Sequence, residues 1–436
     1  MDRANKILFI LLLLFLSTVM LVSIFHTKQI KTLKGTFVKI DRPKLSIANW
    51  LSRDFQMQMD KRTNYRFFLR SVLIKTRNQI DYALFDKVNA TLVSKGKDDM
   101  LYSTKHITSY LGENFDDGEK IAHQVERLVF IQETLEAMGK KFLVVIGPSK
   151  AAYYPNNFPI KFDRREKQMS IYDYYANQLQ EKHIHHIDFN KVFVDMKDTI
   201  SYPIYTKQGT HWNNYAYQYA WNMIVDSLEQ DTDWKLARLQ ANEIKLEPAK
   251  DRDLDLYELL NVFCINDTTK TAYQDYSIDT TNIDRPTGLV IADSYFWGLR
   301  GLGFSREVLN NGMFWYYNNT AYPAEREILY TPKDYDFQQV IEDTDIVIML
   351  VTAANLDMFP FGFEDDFYEE MTKASNINAK KEKTIDRMIK KIEQNEEWYG
   401  DLQTEAKEKN QSLDSILRVA ATYFLDQEEK SKKESK

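Results

Sequence analysis

The chain has 436 residues, 44% of them hydrophobic and 28% charged, the ordinary usage of a folded protein that buries a full core. Sixty-four acidic residues against 57 basic ones leave a net charge of −7, and no basic groove interleaved with aromatics runs along the chain, which excludes nucleic acid as a partner. The single cysteine, Cys264, excludes an internal disulfide.

Residues 7–25, ILFILLLLFLSTVMLVSIF, carry no charge and are long enough to cross a bilayer core of about 30 Å at about 1.5 Å per residue. Arg3 and Lys6 precede the run, which ends in Ile24, Phe25 and His26 without the small residues of a cleavage site. An uncleaved single-pass anchor over residues 1–25 is therefore expected, with the body of the protein extracytoplasmic, at the cell surface or in the periplasm. Lys28, Lys31 and Lys34 on the far flank weaken the charge argument for that orientation.

Residues 26–105 read as a lead-in of short apolar patches and turns, closing with VSKGKDDMLYS (Val93–Ser103), a strand, a turn around Gly96 and Asp98, and a second strand. Ile121, Val125, Leu128, Val129 and Leu135 recur at helical spacing, and the helix they define should end near Gly139. Phe142–Ile146 is a continuous apolar run followed by Gly147 and Pro148, the profile of a buried parallel strand entering a loop. A helix over 170–182, a strand over 184–189 and a helix over 215–228 come next. Gly288–Leu299 opens as a third buried strand and breaks into a sharp turn, and Asp345–Leu356 supplies a fourth. Strands alternating with helices predict an α/β domain with a mostly parallel sheet over residues 106–377, its loops of interest at the carboxyl ends of the strands. From residue 378 the chain turns charged and amphipathic, the composition of a helical appendix over 378–436.

Two stretches carry the chemistry. Ser294 follows Ala292 and Asp293 at the end of the third strand, where a strand-to-helix turn exposes a hydroxyl and the next backbone N–H groups face an oxyanion. The same position suits a helix N-cap. A serine needs a base, and His211, in GTHWNNY, is the histidine whose neighbours Gly209, Trp212 and Asn213 look least like filler; a buried histidine bonded to backbone is the plainer alternative. Asn355, after the fourth strand, has an amide suited to an oxyanion hole, or to capping the strand end. Lys150 either reaches the same mouth or is solvated, and Trp212 and Tyr295 complete the candidate substrate contacts, although most large aromatics serve the core. HIHHID (His183–Asp188) places His183 and His185 on one face of a strand, but no third ligand accompanies them, so no metal site and no cofactor is expected.

IADSYFW and GTHWNNYAY, with VVIGPSKAAYYPNNFP, FWYYNNTAYP, NLDMFPFGF and the closing NEEWYGDLQTEAKEKNQSLDSIL, resemble the SGNH-like acyltransferases of the alginate O-acetyltransferase AlgX/AlgJ type. The resemblance implies a flavodoxin-like SGNH domain with Ser294 as nucleophile and His211 as base. It implies acetyl transfer to hydroxyls of an exopolysaccharide, with a membrane-bound O-acyltransferase partner exporting the acetyl group. Two departures stand out: Ala292 replaces the glycine before Asp-Ser, and Gly209 replaces the aspartate that in this family orients the histidine. Asp293 is then the nearest carboxylate in sequence to serve as the third member, with a backbone carbonyl equally suited. A polysaccharide O-acetylesterase, and an inactive polysaccharide-binding protein of the same fold, are the alternative functions.

Overall fold

The computed structural model describes residues 3–25, 33–35, 40–115, 118–265, 267–323, 330–409 and 411–434. Lys28 and Lys31 lie outside the described residues. By internal contact the chain divides into two compact units, Met1–Asp334 with Asp343–Phe361, and Tyr335–Glu342 with Gly362–Lys436.

In the first unit, the apolar helix Arg3–Phe25 is long and apolar enough to cross a membrane. The lead-in differs from its reading as patches and turns: it holds the helices Ile47–Leu51, Asp54–Arg66 and Arg70–Phe85. Their apolar positions are interrupted by Arg and Lys on several faces, so no single stripe announces them in the sequence.

Among the described residues the strands are β1 (Val93–Lys95), β2 (Leu101–Ser103), β3 (Lys141–Gly147), β4 (His186–Asp188), β5 (Arg238–Pro248), β6 (Lys270–Asp279), β7 (Gly288–Ala292), β8 (Met313–Tyr316), β9 (Thr320–Tyr322) and β10 (Ile346–Thr352). β1 and β2 form the expected hairpin, with Gly96 at its turn because a Cβ there would stand 2.0 Å from the Asn157 carbonyl oxygen. The main sheet has the order β4-β3-β10-β7-β8-β9, parallel except for β9. Every residue of β7 and β10 is buried, which is why these strands read as unbroken apolar runs instead of alternating ones. Leu143, Val145, Val290, Ala292, Ile348 and Leu350 share one core with Trp221 and Ile224 of the helix Asn214–Glu229. The helix Gly118–Ala137 lies against β3 and ends as predicted: Gly139 has φ +73°, and Lys140 N donates to Leu135 O at 2.8 Å. The helix Ile171–Glu181 starts at a capping box between Ser170 and Asp173.

β5 and β6 form an antiparallel arm that periodicity in the sequence does not announce. It matters for the site because the segment that follows β5, 249–255, folds back toward residue 211. At the other end of the sheet, Gly147 pairs with Thr352, and Ala292 with both Leu350 and Tyr316, so the chain exits of β3, β10, β7 and β8 share one edge.

In the second unit, Phe337 packs against Phe363 and Phe367. The helices Phe363–Glu393, Glu396–Glu408 and Leu413–Glu434 share a core that includes Ile385, Ile392, Leu402, Ile416 and Leu417. The composition shift at residue 378 falls inside the first of these helices.

Candidate active site

The serine is placed by the sheet. The chain leaves β7 at Asp293, which is completely buried. Its Oδ1 accepts from Tyr295 N at 3.0 Å. Its Oδ2 accepts from Thr352 N at 2.9 Å, Thr352 Oγ1 at 2.7 Å and Asn355 Nδ2 at 2.8 Å. Four donors satisfy a buried carboxylate, and they tie the turn of one strand to the exit of its neighbour, β10. Ser294 is thereby held at the sheet edge, and the helix Phe296–Leu302 follows.

The histidine is placed by side chains reaching into an irregular segment. Asn213 N donates to Ile204 O at 2.8 Å and Asn213 Nδ2 to Pro203 O at 2.8 Å, closing the loop that carries residue 211. Lys150 is fully buried, with Nζ donating to the carbonyls of Thr206 at 2.7 Å, Lys207 at 3.0 Å and Gly209 at 2.7 Å. Burial pushes its pKa down to about 7, while three carbonyls match the three N–H donors of an ammonium. Trp212 is also fully buried, and its Nε1 donates to Tyr295 O at 3.1 Å, pinning the histidine segment to the serine turn.

These two constructions meet. His211 Nε2 lies 2.9 Å from Ser294 Oγ, and His211 Nδ1 lies 2.6 Å from Asp255 Oδ2. A carboxylate only accepts, so Nδ1 carries the proton and Nε2 is free to accept from the serine hydroxyl. The other oxygen of Asp255 accepts from Thr210 N at 2.8 Å. The Tyr295 ring lies 4.9 Å from the imidazole, and its hydroxyl donates to Thr210 O at 2.5 Å.

The carboxylate on His211 is therefore Asp255, whereas Asp293, the nearest in sequence, faces β10 and makes no bond to the histidine. Gly209 explains the exchange. A Cβ at residue 209 would stand 2.8 Å from Asp253 O and 2.9 Å from Thr206 Oγ1, because Thr206 Oγ1 donates to that same carbonyl at 2.6 Å. The turn Asp251–Leu254 occupies the space an aspartate at 209 would need, and the next residue, Asp255, opens the helix Asp255–Leu260. Leu256 N and Tyr257 N at that helix start both donate to Gln208 O at 3.1 Å, which docks it on the histidine loop.

The remaining predicted contacts are placed differently from the sequence reading. Lys150 is neither solvated nor in the mouth but inside, under the histidine loop. Trp212 and Tyr295 are buried, at 0% and 2% exposure, and have no surface to offer a substrate. Asn355 Nδ2 donates a hydrogen bond to Asp293 Oδ2. His183 sits in a left-handed turn, φ 54°, before β4, and His186 Nδ1 lies 2.7 Å from Ile184 O. Among the described residues no group of three or more His, Cys, Asp and Glu side chains is arranged to hold a metal ion.

Three groups at the site were not singled out from the sequence. Asp255 has no spacing signature, since it comes from a segment 44 positions away. Tyr317, the last residue of the FWYY block, stands at φ +50° close to Ser294; burial pushes its pKa up, against the Ser294 side chain and backbone, which lower it. His106 is buried with Nδ1 3.4 Å from Ser149 Oγ, its ring 6.5 Å from that of Tyr295. Burial first, and then the neighbouring His211, push its pKa down to about 3, so its ring stays neutral.

Residues 93–294 match the family described as SGNH hydrolase-like domain, acetyltransferase AlgX. Among solved structures the chain is similar to the O-acetyltransferase domain of Pseudomonas putida AlgJ, at 15% identity over 61% of this chain and 92% of that one, TM-score 0.39. It is similar to Pseudomonas aeruginosa AlgX, at 14% identity over 65% and 70%, TM-score 0.41. Bacillus cereus PatB1 gives 12% identity over 62% and 99%, TM-score 0.37. No match occurs among curated protein sequences.

Proposed function

We propose, on the match of residues 93–294 to the SGNH hydrolase-like domain of acetyltransferase AlgX, that the chain is an extracytoplasmic O-acetyltransferase working through a serine ester on a cell-surface polysaccharide. In this reading residues 1–25 anchor the chain, 26–105 lead from the membrane, 106–377 hold the chemistry and 378–436 form the appendix.

The observation that carries the reading is the unbroken line Ser294 Oγ, His211 Nε2, His211 Nδ1, Asp255 Oδ2, with spacings of 2.9 and 2.6 Å. Ser294 Oγ attacks the acetyl carbonyl carbon and its proton passes to His211 Nε2. The imidazolium, steadied by Asp255, returns that proton to the departing donor oxygen as the carbon–oxygen bond breaks. A sugar hydroxyl then attacks the serine ester, gives its proton to His211, and Ser294 leaves with that proton restored. Ser294 N–H and the Tyr317 hydroxyl supply donors for the oxyanion at each stage. A membrane-bound O-acyltransferase is the partner that delivers acetyl groups to this side of the membrane.

Release of nitrophenol from p-nitrophenyl acetate by the purified chain, with Ser294→Ala alongside, tests the nucleophile. The wild type is expected to turn over the ester and the variant to fall to background; equal rates would remove Ser294 from the chemistry. Adding a soluble oligosaccharide and weighing it afterwards separates transfer from hydrolysis: an acetylated sugar supports the transferase, and free acetate alone supports an esterase.

A further inference from the structure

The lead-in has a surface that the reaction does not use. Residues 26–92 hold fourteen Lys and Arg against five Asp and Glu, in a chain whose net charge is −7. Positive charge is thus concentrated in the stretch directly after the apolar helix, and the remainder of the chain is acidic.

Two helices in this stretch present apolar stripes to solvent. In Arg70–Phe85 one side faces the domain: Ser71 is buried, Asn78 Nδ2 donates to Leu260 O at 2.8 Å, and Tyr82 packs with Val93, Leu101 and Leu256. Leu73, Ile80 and Leu84 are each displaced two positions from those residues, about 200° around the helix, and are 57%, 47% and 73% exposed. In Ile47–Leu51, started by the Ser46 cap, Ile47, Trp50 and Leu51 are 82%, 53% and 76% exposed at i, i+3 and i+4 spacing. Single exposed leucines are ordinary, but two apolar stripes within the most basic part of the chain are not.

Resting on the anchored reading above, we propose that residues 40–92 form a membrane-surface module. Its two apolar stripes enter the headgroup boundary of the leaflet facing the domain, and its Lys and Arg side chains meet anionic lipid headgroups. Charge and continuity favour lipid as the occupant. The basic excess complements an anionic surface, and the fourteen residues 26–39 between Phe25 and Ile40 span at most about 50 Å when extended. Held that close, a weakly binding surface is populated by high local concentration. The module sets the height of Ser294 above the bilayer and so favours an acetyl donor presented at the membrane.

The full chain reconstituted in nanodiscs tests this, with Cys264→Ser as background and an environment-sensitive fluorophore on Leu51→Cys or Leu84→Cys. Ile10→Cys carries the same probe into the anchor, and Glu133→Cys serves as a surface control. In discs containing phosphatidylglycerol, spin-labelled lipid is expected to remove most of the emission at positions 51 and 84 and to blue-shift what remains, leaving position 133 unchanged. Zwitterionic discs or high salt should reverse much of that effect. Quenching at position 10 with none at 51 or 84 overturns the proposal while leaving the anchor intact. No quenching at position 10 overturns the anchored reading itself. Probes at 51 and 84 shielded from soluble iodide but untouched by lipid quencher assign the stripes to a protein surface, which also overturns it. Ester turnover by each labelled variant reports that the domain is folded.

Discussion

The serine turn and the histidine loop meet at 2.9 Å but are built by opposite means. Ser294 stands one residue beyond a fully buried strand, and the carboxylate of Asp293, four times hydrogen-bonded, locks it to the next strand. The histidine loop has no regular structure. It is held by Lys150 from below, by Trp212 against the serine turn, and by the helix start at Asp255. A serine set by backbone geometry tolerates a change of neighbours; a histidine held by contacts from separate segments depends on each of them. The two sites also differ in how a carboxylate reaches them: Gly209 has no side chain, the turn Asp251–Leu254 lies against it, and Asp255, the next residue, meets the imidazole.

Six substitutions break or sharpen this contrast. Loss of Ser294 has the largest expected effect, a fall in ester turnover of roughly 10³-fold or more with Ser294→Ala, and His211→Gln should match it because the two act as one unit. Next is Asp255→Asn, expected to lower kcat by roughly 10²- to 10⁴-fold through loss of the correct tautomer, with KM little changed. Restoring an acid by Gly209→Asp in that background should not rescue activity, since its Cβ meets Asp253 O at 2.8 Å. Recovery of turnover in the double variant would show that the space beside residue 209 opens readily.

Lys150→Met is expected to cost roughly 2–4 kcal/mol in denaturant unfolding, because carbonyls of Thr206, Lys207 and Gly209 lose their donor. Its kinetic effect should exceed that of changes to the serine turn other than at Ser294, since the loop it supports carries His211. A smaller effect comes from Asp253, whose carboxyl is pushed up to about 6 by burial and then by Asp255, against the hydrogen bond from Tyr273. With its folded pKa above the unfolded value of 3.8, Asp253 favours folding fully below that pH, and its contribution is lost as pH rises through about 6. Asp253→Asn removes that dependence. Its stability relative to wild type should therefore climb between about pH 4 and 7, by on the order of 3 kcal/mol, in chemical unfolding at stepped pH.

Legibility followed the range of the forces. The strands ending at Gly147, Ala292 and Thr352 were readable because a strand buried on both faces admits only apolar residues. The capped helix at Ser170 and the stop at Gly139 were readable because each is decided within a few residues. The β5–β6 arm was not, since its strands are largely exposed on one side and paired across a long excursion. Lys150 was misread for a related reason: a lysine is ordinarily solvated, and only three carbonyls from a loop more than fifty positions on make its burial tolerable. Trp212 and Tyr295 were assigned to substrate on residue type, while their burial follows from packing against each other and His211.

By itself the sequence determined that an apolar helix comes first, that a parallel sheet follows, and that Ser294 and His211 stand in strand-exit and loop positions suited to one site. Those features depend on periodicity and on turn chemistry acting over a handful of residues. Tertiary structure alone decided that Asp255 faces the imidazole and Asp293 the neighbouring strand. Both are aspartates beside a helix start, and only the space vacated at Gly209, together with the donors gathered at β10, distinguishes one carboxylate's surroundings from the other's.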